Sequence, residues 1–97
     1  MKNKIVLITG ATSGIGWATA LEFKKAGAKL ILCGRRKERL ELLDNKLGGE
    51  QKLLNFDVRD KNDVFKSFES LPENWKDVDL LINNAGNAHG LDPVQSA

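Results

Sequence analysis

Residues 9–16 read TGATSGIG, and they follow the apolar run IVLI at residues 5–8. Gly10, Gly14 and Gly16 fall within seven residues. Glycine loses more conformational freedom on folding than any other residue, so this density answers to a need of the backbone. A strand, a glycine-rich turn and a helix in that order can make a phosphate site. The first N–H groups of the helix have no partner within it and carry a partial positive charge. Glycine lets the backbone turn tightly and approach a pyrophosphate with no Cβ in the way. Thr12 and Ser13 can add hydroxyl hydrogen bonds. A P-loop is excluded, because it needs a Gly-Lys-Ser/Thr end and this loop ends GIGW. The spacing Gly10-x-x-x-Gly14-x-Gly16 also differs from the common dinucleotide fingerprint G-x-G-x-x-G.

The rest of the chain alternates strand-like and helix-like stretches, with no repeat, low-complexity tract or linker. A first strand at about residues 4–9 leads into a helix at about 14–26, with Gly16, Ala20, Phe23 and Gly27 on one face. KLILC, bounded by Gly34, is the second strand. The second helix covers about residues 37–47, turns Leu40, Leu43 and Leu47 inward, and stops at Gly48 and Gly49. KLLNF at residues 52–56 is the third strand. Asp60 then caps a third helix carrying Val64, Phe65, Phe68 and Leu71. A turn, PENWKD, precedes a fourth strand at residues 78–82. This β-α-β-α-β-α-β order predicts an α/β fold: parallel strands with right-handed crossovers, in the order 3-2-1-4, as the first part of a doubly wound Rossmann-type sheet.

Bulk properties narrow the partners. Ninety-seven residues suffice for one small domain. Fifteen basic against 13 acidic residues give a net charge of +2, too balanced to point to nucleic acid. The N-terminal apolar run is four residues long, short of the roughly 7–15 of a secretory signal and the about 20 of a membrane span. No membrane partner and a cytoplasmic location are therefore expected. Cys33 is the only cysteine and reads as a buried thiol in an apolar strand. His89, the only histidine, has no ligand partners at useful spacing, so no metal site is expected.

Three further stretches lie at strand ends: CGRRKERL after the second strand, NFDV after the third and LLINNAG after the fourth. Ligands of open α/β sheets bind at the carboxyl ends of strands. Together with TGxxxGxG, these stretches resemble the short-chain dehydrogenase/reductase family along essentially the whole chain. GRRKERL and SLPENWKDVDLLINNAG resemble more narrowly the group of NADP-dependent dehydrogenases acting on serine and related 3-hydroxy acids.

The resemblance implies a role for each motif. Gly10, Ala11, Thr12, Ser13, Gly14 and Ile15 would wrap the cofactor pyrophosphate, and Gly16 would let the helix sit close to the strand. Asp57 and the Val58 backbone would meet the edge of the adenine. Asn84, Ala85 and Gly86 would pass under the cofactor ribose. Arg35 and Arg36 stand where an NAD site places an acid for the ribose 2′-OH. No acid lies between Lys29 and Lys37, and a guanidinium fork suits a 2′-phosphate, so the expected cofactor is NADP. A SAM-binding methyltransferase half would favour an acid at that place. A small-molecule substrate and a homo-oligomer are the expected partners.

The family moves a proton with a tyrosine and a lysine in YxxxK, and this sequence contains no tyrosine. No catalytic residue is therefore assigned. The chain is expected to be the N-terminal, cofactor-binding portion of a single domain and inactive by itself. The alternative is a natural short protein that binds a nucleotide or a partner without catalysis.

Overall fold

The computed structural model describes residues 2–57 and 59–84. Strands β1 (Ile5–Thr9), β2 (Lys29–Gly34), β3 (Lys52–Asn55) and β4 (Leu80–Asn83) form one parallel sheet in the order β3-β2-β1-β4. Helix α1 (Gly14–Lys25) connects β1 to β2, and α2 (Lys37–Leu47) connects β2 to β3. Helix α3 (Lys61–Glu69) and one turn of 3₁₀ helix (Glu73–Trp75) lie between β3 and β4. Element order and strand order are those the sequence predicts.

Side chains of a strand alternate between the two sheet faces, and here both faces are covered. Val6, Ile8, Leu30 and Leu32 pack with Ala20 of α1 and with Leu40 and Leu43 of α2. Ile5, Ile31, Cys33, Leu54 and Phe56 pack on the other face with Leu71 and Trp75, and with Val64 and Phe68 of α3 at their margin. Strands buried on both faces need continuous apolar runs, and β-branched residues suit them. Two cations also lie over the Trp75 ring, with Lys29 Nζ 4.9 Å and Lys52 Nζ 5.5 Å from its centroid.

The helix ends follow the local chemistry. The Asp60 carboxylate accepts from the Asp63 amide at 3.1 Å and caps α3. Gly27 and Gly48, at φ +90° and +69°, end α1 and α2 in the left-handed region that glycine enters without strain. No helix among the described residues is long and apolar enough to cross a membrane, and they contain no cluster of metal-ligating side chains.

One detail departs from the sequence reading. The fourth strand starts at Leu80 rather than Val78. The Val78 amide turns back to Lys76 O at 2.9 Å, while the Asp79 amide bonds Ile5 O and its carboxylate accepts from the Ile5 amide at 2.9 Å. The ladder therefore begins after this junction. Phe65 is 69% exposed. Val64 and Phe68, four residues apart, take the sheet-facing side of α3, and Phe65 lies about 100° round the helix from Val64.

Leu40 and Phe65 make a contrasting pair, since the former is 1% exposed. Leu40→Ala should lower unfolding stability by about 2–5 kcal/mol, whereas Phe65→Ala should stay within about 0.5 kcal/mol of wild type. Urea denaturation of both variants beside wild type reads the difference.

Candidate cofactor site at the carboxyl edge of the sheet

The loop from β1 to α1 is built by three glycines with three different tasks. Gly10 adopts φ +61°, a conformation that L side chains rarely take. Gly16 lies against the loop itself: a methyl group there would be driven into Gly10 O and would come within 2.9 Å of Ala11 Cα. Gly14 has an ordinary negative φ, and a Cβ built on it would meet no atom of the chain within 4 Å. The fold thus accounts for Gly10 and Gly16 and leaves open space beside Gly14.

Ser13 is the N-cap of α1. Its hydroxyl donates to Gly10 O at 2.8 Å and accepts from the Gly16 amide at 3.1 Å. That uses its one proton, leaving Ser13 as a builder of the loop and the nearby amides as its donors. Among the described residues, the amides of Gly14 and Ile15 make no hydrogen bond, as the first turn of a helix dictates. Ile15 is 66% exposed.

The neighbouring strand ends close on this loop. The Ala11 amide donates to Cys33 O at 3.0 Å, and Thr12 Oγ1 lies 3.5 Å from where a Cβ on Gly34 would be. Asn55 Nδ2, at the end of β3, donates to Gly34 O at 3.0 Å and to Arg35 O at 2.8 Å. The Phe56 amide also donates to Gly34 O. These bonds fix the backbone from which Arg35 and Arg36 project. Both arginines are exposed, and neither has an ion-pair partner among the described residues. Arg36 is the N-cap residue of α2, yet its side chain takes no part in the cap.

Asp57 follows β3 and is bonded to Arg59. Its Oδ1 accepts from the Arg59 amide at 2.9 Å and from Nε at 3.1 Å, and its Oδ2 accepts from Nε at 3.2 Å and Nη2 at 2.8 Å. The side-chain bonds, then the backbone bond, lower the Asp57 carboxyl to about 2, and the fields of Arg59 and Arg35 act in the same direction. At neutral pH it is a carboxylate.

At the far side, the Asn84 amide donates to Thr9 Oγ1 at 3.1 Å, while the Thr9 hydroxyl donates to Asn83 Oδ1 at 2.7 Å. Asn84 is 8% exposed, and its Nδ2 is buried with no partner among the described residues. A buried donor left unpaired is unfavourable, so this atom marks a place where another acceptor fits. Val58, Ala85 and Gly86 lie outside the described residues.

The ends of all four strands thus form one continuous rim carrying every described residue predicted for the site. Sequence reasoning missed Asn55, Arg59 and the Thr9 hydroxyl. An Asp followed two residues later by a donor is an Asx-turn pattern that points to Arg59. Nothing local distinguishes Asn55, whose partners are 20 and 21 residues away.

The family model for short chain dehydrogenases matches residues 4–96. The chain belongs to this family. It is 45% identical over 93 residues to the NADP-dependent 3-hydroxy acid dehydrogenase YdfG of Salmonella typhi, covering 96% of the chain and 38% of that relative. It is 49% identical over 89 residues to the serine 3-dehydrogenase of Rhizobium radiobacter, covering 92% of the chain and 36% of that relative. The chain therefore spans little more than a third of the length of these two relatives. A solved structure described as the closed form of serine dehydrogenase complexed with NADP+ superposes with a TM-score of 0.78 at 41% identity, over 82% of this chain and 32% of that one.

The glycines separate fold from site. Gly16→Ala should destabilise the short chain dehydrogenase fold by about 1–3 kcal/mol, the range for overpacking a tight contact. Gly14→Ala should leave the unfolding midpoint nearly unchanged while weakening nucleotide binding. Denaturation and nucleotide titration of the same two variants check both halves.

Proposed function

We propose that this chain is the cofactor-binding portion of a cytoplasmic, NADP-dependent oxidoreductase that transfers hydride between NADP(H) and a small alcohol or carbonyl substrate. The observation that carries the reading is the pair of exposed arginines at the end of β2, which have no ion-pair partner among the described residues and no acid between Lys29 and Lys37 in the sequence. A ribose 2′-phosphate needs charge-assisted donors, and guanidinium groups supply them in a matching planar geometry. The open space beside Gly14 and the free amides of Gly14 and Ile15 fit a pyrophosphate. The unpaired Nδ2 of Asn84 fits a polar group of the nicotinamide half. When bound, the nicotinamide supplies the hydride, and the residues of this chain hold and orient it.

A 3-hydroxy acid of the serine type is the substrate class we propose, supported by the names of the two relatives above. The proton that accompanies the hydride needs a positioned acid or base, and these 97 residues contain no tyrosine to serve in the family's manner. On this reading the proton is handled by residues outside them, and the 97-residue chain alone does not turn over. Leu80 and Leu81 on the border strand are 37% and 58% exposed. An apolar border of this kind recruits further chain, which on this reading is the remainder of the same domain; a homo-oligomer as the working state is part of the proposal.

Two measurements test the reading. In the full-length gene product, Arg35→Ala and Arg36→Ala should each weaken NADPH binding about tenfold and leave NADH nearly unchanged. One charge-assisted bond contributes roughly 1.5–3 kcal/mol, and 1.4 kcal/mol is a factor of about ten. Equal losses for both cofactors would assign the arginines to the fold instead. In the second, the isolated 97-residue chain should consume no NADPH above background with serine-like and 3-oxo acid substrates. Turnover that scales with chain concentration would overturn the assignment of proton transfer to residues elsewhere.

A further inference from the structure

Both carboxylate oxygens of Asp57 are engaged by Arg59. Three N–H groups of Arg59 meet this carboxylate, the amide on Oδ1, Nη2 on Oδ2 and the single Nε–H shared between the two oxygens. We propose that the Arg59 side chain competes with the adenine amino group for Asp57, so that nucleotide docking proceeds by exchange of a guanidinium for the base. This rests on the adenine-side role of Asp57 in the function proposed above. Arg59 is therefore a positioning residue acting through Asp57.

The geometry makes the exchange easy in one part and hard in another. The Arg59 side chain is 76% exposed and the Asp57 side chain 33%. A pair this exposed is weak, and water can replace its bonds at little loss. The backbone bond is different in kind, because the Arg59 amide holds Asp57 Oδ1 within a two-residue turn whatever side chain follows. Loss of the guanidinium would therefore free Oδ2 while Oδ1 stays fixed. The carboxylate would keep its orientation toward the rim and gain a vacant acceptor edge for an exocyclic amine. At neutral pH the carboxylate stays ionised without the guanidinium, since its ordinary pKa is about 4. The 2′-phosphate side of the site has its own cations in Arg35 and Arg36, so the exchange bears on the adenine and not on the choice between NADPH and NADH.

Adenosine is the probe, because it carries no phosphate and reports the base contact alone. In the full-length protein, followed by NMR titration, Arg59→Ala should bind adenosine about two- to fivefold more tightly than wild type, the size of an exposed ion pair's contribution. Arg59→Lys, with one point contact in place of a fork, should fall between. Raising the salt concentration should tighten adenosine binding to wild type by screening the pair, and should leave Arg59→Ala unaffected. Unchanged or weaker adenosine binding in Arg59→Ala, or no salt dependence in wild type, would overturn the competition. NADPH titration of wild type separates the two readings. Absence of NADPH binding removes the cofactor site and the exchange with it, whereas normal NADPH binding with an unresponsive Arg59→Ala removes the exchange alone.

Discussion

The contact between Gly16 and the carbonyl of Gly10 is the constraint on which the rest of the rim depends. Helix α1 can begin against the end of β1 only because position 16 carries no Cβ. That approach lets Ser13 bridge Gly10 O and the Gly16 amide in a single hydroxyl, and it sets Ala11 within reach of Cys33 O. Moving α1 outward by the width of a methyl group would pull each of these bonds. The positive φ of Gly10 and the close approach of Gly16 are internal needs of the loop. Gly14 answers to neither, and for that reason its lack of a side chain is informative about what comes from outside.

Stability and chemistry occupy separate parts of the sheet. The apolar residues of β1 and β2 are buried from both sides by two helix layers, and the polar residues appear only where the strands end. Cys33 illustrates how abrupt the change is. Its thiol is buried and pushed up to about 12 by desolvation, so it stays protonated and acts as packing. Two residues later Arg35 is exposed to solvent. A rim of this kind can carry unpaired charge without loading the core, because each charged group keeps its water.

Much of this was legible in the sequence because it is periodic or locally encoded. The alternation of apolar runs with helical faces predicts the strand order, and the glycines, Ser13 and Asp60 announce the turns and caps that they make. What the sequence hides depends on approach through space. Phe65 sits in the same apolar cluster as Val64 and Phe68, but helical geometry lets only Val64 and Phe68 share the sheet-facing side. The start of β4 is set by Asp79 bonding Ile5, a pairing across 74 residues. Asn55 has the least local signal of all. It is an exposed amide at a strand end, yet its Nδ2 fixes the β2 exit, and only the parallel register of β2 and β3 brings it there.

The residue type at position 55 has a further consequence for charge. Arg59 shows what happens in this fold when a carboxylate lies within reach of an arginine: the two close into a fork and the cation is neutralised. An aspartate at position 55 would hold its charge beside the carbonyls of Gly34 and Arg35, where it could donate no hydrogen bond and would repel them. Asparagine reverses both effects. Its amide donates to the two carbonyls and adds no charge, so the backbone is clamped while the arginines stay unpaired. The rim therefore contains one arginine that is satisfied and two that are not. On the proposed function, those two are the pair that a doubly charged phosphate requires, and the clamp that holds their backbone adds no charge of its own.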